Sequence, residues 1–261
     1  MTRFASTAGT LIDGIKINET QRIVSEERTL WIKRRRAGTG QFLACANGFF
    51  RLAGAPVRAI GDTRTWQRWE IDCFRRLHGD QLHASAPGPR SIAIEEIPGV
   101  NLTQYLDTGT ITEAMSAAAG RELRRVHQCQ CAELSGPWSH GDPHVGNFIY
   151  TADSDRAWII DFEVMHCPGL EARDRHIDDA LVFLQDMAGR IKSELWLPCA
   201  RAFLEGYDHP TLLDAILDRL QAPPAGLCAY LWRAVRTSYL PAAEFRGRVQ
   251  ALRHEMARRT P

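Results

Sequence analysis

Asp142, Asn147 and Asp161 are spaced along the chain in a way that suits one reaction. Asn147 follows Asp142 by five positions, and Asp161 comes directly after the apolar run Trp158–Ile160. Phosphoryl transfer from a nucleotide needs one carboxylate to orient or deprotonate the attacking hydroxyl. It also needs an amide oxygen and a second carboxylate to hold the magnesium ions that bridge the phosphates. The spacing therefore predicts Asp142 as the catalytic residue, and Asn147 and Asp161 as metal ligands that contact bound ATP.

Two short strands must position these side chains. Residues 158–160 are apolar and predict a buried strand, and Phe148-Ile149-Tyr150 predicts its hairpin partner. This hairpin would bring all three polar side chains to one edge. We expect His140 to brace the loop through hydrogen bonds rather than act as a catalyst. For His144, an approach to the transferred phosphoryl group and a packing role both stay open, and Glu163 is a candidate further contact to a metal or water.

The motifs HGDPHVGN and IDFE resemble the catalytic and metal-binding motifs of the kinase-like superfamily outside the main protein kinases. That group includes the lipopolysaccharide Kdo/heptose kinases, the aminoglycoside and choline phosphotransferases, and the RIO and Bud32 kinases. The order WIKRRRAG, an insert, then RWEIDCFRRL is similar to that of the Kdo/heptose kinases. The resemblance implies an α+β, two-lobed protein-kinase-like fold, with a small antiparallel β N-lobe and a mainly helical C-lobe. It also implies ATP and Mg²⁺ as cofactors.

Lys33 ends the third of three predicted strands between Asp13 and Arg36. In the family that this sequence resembles, the lysine on this strand neutralises nucleotide phosphates, and a glutamate on the next helix pairs with it. The helix Thr65–Leu77 has an apolar face, and Glu70 lies beside that face. We therefore expect Lys33 and Glu70 to pair and to contribute to nucleotide binding. The alternatives are an exposed lysine at a hairpin end and a surface carboxylate paired with an arginine.

A glycine-rich loop over the phosphates is not evident. The predicted turn Asn18-Glu19-Thr20 contains no glycine, and Thr7–Thr10 is the only other candidate. The strand Ser91–Glu95 leads into a Pro-Gly turn and resembles the hinge between the lobes. Backbone groups near Glu95 and Ile97 are expected to bind adenine.

The hinge divides the predicted domains. Residues 1–95 form the N-lobe, with an insert at 38–65 that contains a short helix from Phe42 to Leu52, and residues 96–261 form the C-lobe. Predicted C-lobe helices cover 111–130, 193–204, 210–220, 227–239 and 242–259. Asp179 is expected to open a further helix, and the family resemblance implies that it binds the backbone of the catalytic loop, with helix capping as the alternative.

Composition and charge bear on the partners and the cellular location of the protein. The 261 residues have a formal net charge of +1, so we expect no nucleic-acid partner. Seven scattered cysteines, no signal-peptide core near the N-terminus and no membrane-length apolar run predict a cytoplasmic protein with free thiols. Five arginines in the last helix could contact an acidic lipid surface at the inner face of the cytoplasmic membrane, although a solvated face is the simpler interpretation.

The sequence leaves three hypotheses for function. The first is an ATP-dependent phosphotransferase that acts on a hydroxyl, with a sugar of lipopolysaccharide core or a related glycolipid as the acceptor implied by the resemblance. The second is a kinase with a protein acceptor, or with a small aminoglycoside- or choline-like acceptor. The third is a nucleotide-binding pseudokinase that acts through partners. The short segment after Glu163 lacks an APE motif and favours a small or glycolipid acceptor over a protein.

Overall fold

The computed structural model describes residues 17–79 and 82–259. These residues form two compact units. The first contains residues up to 46 together with 60–96, and the second contains 47–59 together with residues from 97 onward. The predicted domain division after residue 95 stays a prediction, and each unit is described below by itself.

The first unit is built on a four-stranded antiparallel sheet. Its strands are β1 (Asn18–Val24), β2 (Thr29–Arg35), β4 (Ala84–Gly88) and β5 (Ser91–Glu95). Their order across the sheet is β1-β2-β5-β4, and Lys33 of β2 is opposite Thr20 on one side and Ile92 on the other. The helix α2 (Thr63–His78) packs on β4 and β5.

Strand β1 corrects one sequence prediction. Asn18, Glu19 and Thr20 were expected to form a turn before a short strand, but they belong to one continuous strand that ends at Val24. The turn that follows is Ser25–Arg28, closed by a hydrogen bond of 3.0 Å from Ser25 N–H to the Arg28 carbonyl. Six of the seven β1 residues are exposed, so this edge strand has no apolar face for the sequence pattern to reveal. Ile15 and Thr7–Thr10 lie outside the described residues.

Helix α2 matches the predicted helix. Asp62 caps its N-terminus by accepting a hydrogen bond from Thr65 N–H. The face predicted to be apolar is buried: Trp66, Trp69, Cys73, Phe74 and Leu77. This packing fixes the rotation of the helix and places Glu70, only 1% exposed, towards the interior of the first unit.

The 38–65 segment contains the helix α1 (Thr39–Leu52) and the strand β3 (Val57–Ala59). The predicted helix to Leu52 is confirmed and begins three residues earlier than expected. Asn47 exchanges two hydrogen bonds with the backbone of Ala59, at 2.9 and 2.7 Å. Strand β3 then pairs with β11 (Val164–His166) in the second unit, to which residues 47–59 belong.

The second unit is mainly helical. Its helices are α3 (Leu102–Thr108), α4 (Glu113–His127), α5 (Ala172–Arg190), α6 (Ser193–Tyr207), α7 (Pro210–Gln221), α8 (Leu227–Arg236) and α9 (Ala242–Ala257). Its remaining strands are β6 (Val100–Asn101), β7 (Gln130–Cys131), β8 (Gly136–Pro137), β9 (Phe148–Thr151) and β10 (Arg156–Ile159). The predicted C-lobe helices are confirmed to within about one turn, because their apolar periodicity and their Pro and Gly boundaries are strong.

Two glycines allow α4 and α6 to cross closely. A Cβ atom on Gly120 would lie 2.2 Å from the Phe203 carbonyl oxygen, and one on Gly206 would lie 2.2 Å from that of Ala117. No side chain fits at either position without moving the backbone. The crossing holds α4 in place, and the catalytic loop follows from the end of that helix.

Helix α5 passes through the centre of the second unit. Most of its residues from Arg175 to Ala188 are buried. Asp179 was expected at the start of a helix, but α5 begins seven residues earlier, at Ala172, so Asp179 lies in the helix interior and caps nothing. No helix in the described part of the chain has the length and apolarity to cross a membrane.

Candidate active site

Lys33 and Glu70 form a buried ion pair within the first unit. Lys33 Nζ donates a hydrogen bond of 2.6 Å to Glu70 Oε1, and the two side chains are 11% and 1% exposed. Strand β2 supplies the lysine and helix α2 supplies the glutamate. The predicted contact is therefore present, and its role in nucleotide binding stays a prediction.

Two backbone N–H groups of the segment predicted to bind adenine already donate hydrogen bonds within the first unit. Glu95 N–H donates to the His83 carbonyl and Glu96 N–H donates to the Thr29 carbonyl, both at 2.8 Å. The Glu95 side chain also accepts a hydrogen bond from His83 N–H. An adenine bound here would therefore need a carbonyl of this segment or the N–H of Ile97.

The predicted hairpin positions the metal-ligand candidates in the second unit. Strands β9 and β10 are paired with Ile159 opposite Phe148, which brings the residues just outside the strands together. Ile160 N–H donates to the Asn147 carbonyl at 2.9 Å. Asp161 comes next, with a φ of +69° that few residues other than glycine adopt. Such a conformation costs free energy and is typical of functional sites.

A closed ring of hydrogen bonds joins the catalytic loop to this hairpin. Asp142 N–H donates to His140 Nδ1 at 3.1 Å, and Asn147 Nδ2 donates to the Asp142 carbonyl at 2.8 Å. His140 Nε2 bonds the Ile160 carbonyl at 3.0 Å, and Ile160 N–H closes the ring on Asn147. We call these four residues the loop ring. It holds Asp142, Asn147 and the residue preceding Asp161 in one fixed arrangement.

The loop ring defines the protonation state of His140. Because Nδ1 accepts a hydrogen bond, Nε2 must carry the proton that is donated to the Ile160 carbonyl. Burial lowers the pKa of His140, which keeps this imidazole neutral. The predicted bracing role is therefore what its hydrogen bonds show.

Asp179 holds the backbone of the catalytic loop through two hydrogen bonds. Its two oxygens accept hydrogen bonds of 2.8 Å from the N–H groups of His140 and Gly141. Burial alone would raise the pKa of this carboxyl, but the nearby His166 and the hydrogen bond from His127 outweigh it and lower the pKa below the ordinary value. The predicted contact with the loop backbone is thus present, although it comes from mid-helix.

Buried histidines surround Asp179. His127 Nε2 lies 2.9 Å from Asp179 Oδ2, and its Nδ1 lies 2.8 Å from the hydroxyl of Tyr207. His176 stacks on His127 with ring centroids 3.8 Å apart. His166 bonds the Ser139 hydroxyl at 2.8 Å, and its Nε2 lies 3.4 Å from Asp178. These contacts join residues far apart in sequence, so no local signal identified them.

Gly141 is required by conformation and by space. Its φ is +90°, and a Cβ atom there would lie 3.1 Å from the backbone carbon of Met165. The close approach of β11 leaves little room for a side chain at this position. The glycine allows the loop to turn Asp142 outward, and Asp142 is half-buried rather than buried.

The oxygen atoms near the hairpin fit a hard divalent cation. A carboxylate oxygen of Asp161 and one of Glu163 lie within 4.8 Å of each other. Asn147 uses its amide nitrogen in the loop ring, which leaves its Oδ1 as the atom to face a metal. Carboxylate and amide oxygens are the ligands that Mg²⁺ prefers. The donor set therefore fits Mg²⁺ and adds Glu163 to the predicted pair.

His144 and Asp186 stabilise the turn between Asp142 and Asn147. His144 Nδ1 accepts a hydrogen bond of 3.1 Å from Gly146 N–H, and Asp186 accepts one of 2.9 Å from Val145 N–H. Burial raises the pKa of Asp186. Of the two roles left open for His144, these bonds favour the structural one. Asp186, an acidic residue of α5 beside the loop, was not identified from the sequence.

Comparisons with known proteins address the fold. No protein-family model matches the sequence, and neither does any curated protein. The ethanolamine kinase of Plasmodium vivax is similar over 97% of this chain and 85% of its own, with 12% sequence identity and a TM-score of 0.50. The fold is protein-kinase-like. The α+β fold class predicted from the sequence, with a small antiparallel sheet and a mainly helical part, is thereby confirmed.

Two further solved structures are similar at lower TM-scores. ADP-bound aminoglycoside phosphotransferase APH(2'')-Ib covers 94% of this chain and 96% of its own, with 12% identity and a TM-score of 0.48. The kinase domain of PknI from Mycobacterium tuberculosis covers 92% and 91%, with 17% identity and a TM-score of 0.41. At these identities the likeness concerns the fold alone.

Proposed function

We propose that this protein is an ATP-dependent phosphotransferase that transfers the γ-phosphoryl group to a hydroxyl acceptor. The observation that supports this most strongly is the loop ring. It fixes the backbone of Asp142, the side-chain amide of Asn147 and the residue before Asp161 with hydrogen bonds of 2.8 to 3.1 Å. The φ of +69° at Asp161 is also unfavourable, and backbone strain of this kind is common at functional sites.

Each residue has a role in the proposal that follows from its chemistry. Asp142 orients the acceptor hydroxyl and takes its proton. Asn147 and Asp161, with Glu163 beside them, would hold Mg²⁺, which when bound neutralises the charge of the phosphates. Lys33 contributes a positive charge for the nucleotide phosphates, and Glu70 fixes the position of that charge.

The proposed step balances as a direct displacement. The acceptor oxygen forms a bond to the γ-phosphorus as the bond from that phosphorus to the β,γ-bridging oxygen breaks, and ADP leaves with the electron pair. The hydroxyl proton passes to the Asp142 carboxylate and then to solvent. Positioning supplies most of the rate, because a phosphoryl group transferred in line needs little covalent help from the protein.

For the acceptor we propose a sugar hydroxyl of lipopolysaccharide core or of a related glycolipid. The support is the sequence resemblance together with the short segment between β11 and α5. Only residues 167–171 separate these elements, which leaves little surface on which a protein substrate could dock. A protein or a small amino-alcohol acceptor is the competing possibility.

The test of this function compares wild type with Asp142→Asn, using Asp153→Asn as the matched control because Asp153 is exposed in the turn of the β9–β10 hairpin. Phosphate transfer from ATP is measured with magnesium and a lipid A–core oligosaccharide fraction as acceptor. We expect transfer by wild type and by Asp153→Asn, and a loss of at least about a hundredfold in Asp142→Asn. Nucleotide affinity should be unchanged in all three proteins.

Each contrary result has a definite meaning. Undiminished turnover in Asp142→Asn would show that the role given to Asp142 is wrong. Transfer to proteins or aminoglycosides, but not to the glycolipid, would keep the kinase and replace the acceptor. Nucleotide binding without transfer to any acceptor would identify a pseudokinase.

A further inference from the structure

Helix α8 (Leu227–Arg236) presents its apolar side to solvent. Leu227, Tyr230 and Leu231 lie on one face, since residues at these spacings are neighbours on a helix. They are 72%, 52% and 43% exposed. None of the ten α8 residues is buried. A helix of a globular protein normally turns this kind of face towards the core.

The arginines of α8 point the opposite way. Arg236 pairs with buried Asp178 at 3.2 Å, and Arg233 lies over the ring of buried Phe245 at 5.7 Å. Burial lowers the pKa of Arg233. The orientation of α8 is therefore fixed by contacts on its charged side, and its apolar side is held outward.

Neighbouring residues extend this apolar side. Phe49 and Phe50 of α1 pack around Trp232, with ring centroids 6.3 and 5.0 Å apart. Leu52, two residues further along α1, is 71% exposed. Tyr239 follows the end of α8, is 47% exposed and has a φ of +61°. We call Leu52, Leu227, Tyr230, Leu231 and Tyr239 the apolar face.

The exposed charge of the two segments that supply the apolar face has one sign. Residues 40–60 and 222–243 contain no Asp or Glu. Two of their four arginines, Arg233 and Arg236, are turned inward, and Arg236 is paired with Asp178. The other two, Arg51 and Arg58, are exposed. Helix α9, whose arginines were a candidate for lipid contact, differs in this respect. Four of its five candidate arginines, Arg248, Arg253, Arg258 and Arg259, are paired with carboxylates.

We propose that the apolar face docks on the surface of an anionic lipid bilayer. Exposed leucines would enter the acyl boundary, the tyrosine rings would lie at the headgroup level, and the exposed Arg51 and Arg58 would meet lipid phosphates. The charge pattern favours a lipid surface over a second copy of the chain, because two copies would bring like charges together. The proposal does not depend on the proposed kinase activity.

The test measures binding of the full-length protein to phosphatidylcholine vesicles with and without phosphatidylglycerol. Leu227→Ser/Leu231→Ser is compared with wild type, and Ile23→Ser/Val24→Ser is the matched control, since those residues of β1 are 43% and 66% exposed. Circular dichroism and the thermal midpoint establish that each variant is folded. We expect wild type and the control to bind the anionic vesicles, and the α8 variant to bind at least about tenfold more weakly.

Salt concentration and vesicle composition test the electrostatic part of the binding. Binding should weaken at high salt and be much lower on neutral vesicles, because part of the attraction is electrostatic. Three results would overturn the proposal: no binding of wild type to anionic vesicles, equal binding of the α8 variant, or a dimer in solution that the α8 substitutions dissociate. Vesicle binding needs no nucleotide, so its failure and the failure of the phosphotransferase assay are separate outcomes.

Discussion

Asp142 owes its position to backbone contacts on both sides of it. Its own N–H and carbonyl are engaged in the loop ring, and the two residues before it are held by Asp179. Because the backbone of Asp142 is held in this way, little reorganisation of the loop is needed when a substrate arrives. The same contacts explain the choice of residue at 141, where only glycine meets both the conformation and the space.

We predict that Gly141→Ala lowers turnover and stability together. The new Cβ meets the Met165 backbone at 3.1 Å and strains a φ of +90°, so the loop must shift. We expect a loss of about 1–3 kcal/mol in the free energy of unfolding. The measurements are urea unfolding and phosphotransfer rate.

Gly169→Ala is the control for that variant. Gly169 has a similar φ of +86° but nothing within 4 Å of the added carbon. It should show the conformational cost alone and keep the wild-type rate. Equal behaviour of the two variants would mean that the close approach of β11 does not position the loop.

At the scale of elements, strand β2 and helix α2 are joined by the Lys33–Glu70 pair. Removing one partner leaves the other charge buried at 11% or 1% side-chain exposure, and such a change typically costs about 3 kcal/mol. We predict that Lys33→Met destabilises the protein by roughly that amount and that the double variant Lys33→Met/Glu70→Leu recovers most of it.

Nucleotide affinity separates structure from function in this pair. The double variant should be stable yet bind ATP at least about tenfold more weakly than wild type, because the positive charge is gone. Thermal unfolding and calorimetric titration with ATP measure the two effects. Wild-type affinity in the stable double variant would show that Lys33 has only a structural role.

Regular elements were predictable from the sequence where they have an apolar side. The helix that places Glu70 and the hairpin β9–β10 followed from their apolar spacing. Strand β1 was predicted only in part, because it has no buried residue and is polar except at Ile23 and Val24. The bond of Asp179 to His127 spans 52 residues, and no local pattern in the sequence predicts a contact over that separation. The contact of Asp179 with the catalytic-loop backbone was expected only from the family resemblance. The grouping of Asp142, Asn147 and Asp161 at one hairpin was predictable because all three lie within one short stretch.

At the scale of the molecule, the buried histidines determine how stability changes with pH. Burial lowers the pKa of His176 from 6.5 to about 3 and also lowers that of His127. Between pH 6.5 and 3 the unfolded chain binds a proton at His176 that the folded chain does not, so stability falls as the solution is acidified. The lowered pKa of Asp179 acts in the same direction at lower pH, whereas the raised pKa of Asp186 opposes it.

We therefore predict that His176→Gln reduces the loss of stability on acidification. Glutamine keeps a donor for the Trp138 carbonyl, 3.0 Å from His176 Nε2, but does not titrate. As the pH falls from 6 to 4, the free energy of unfolding should decrease less steeply in the variant than in wild type. The two slopes should differ by about 1 kcal/mol per pH unit. Urea unfolding across this range measures it. His254→Gln, at an exposed position of α9, should keep the wild-type slope, and an unchanged slope in His176→Gln would contradict the prediction.

The central claim is that the β9–β10 hairpin and the loop ring form a magnesium-dependent phosphoryl-transfer centre. The most direct test is calorimetric titration of ATP, with magnesium and with a chelator, into wild type, Asp161→Asn and the exposed control Asp153→Asn. We predict that magnesium strengthens ATP binding at least about tenfold in wild type and in the control, and has little effect in Asp161→Asn. An undiminished magnesium effect in Asp161→Asn, or no binding of ATP by wild type, would contradict the claim.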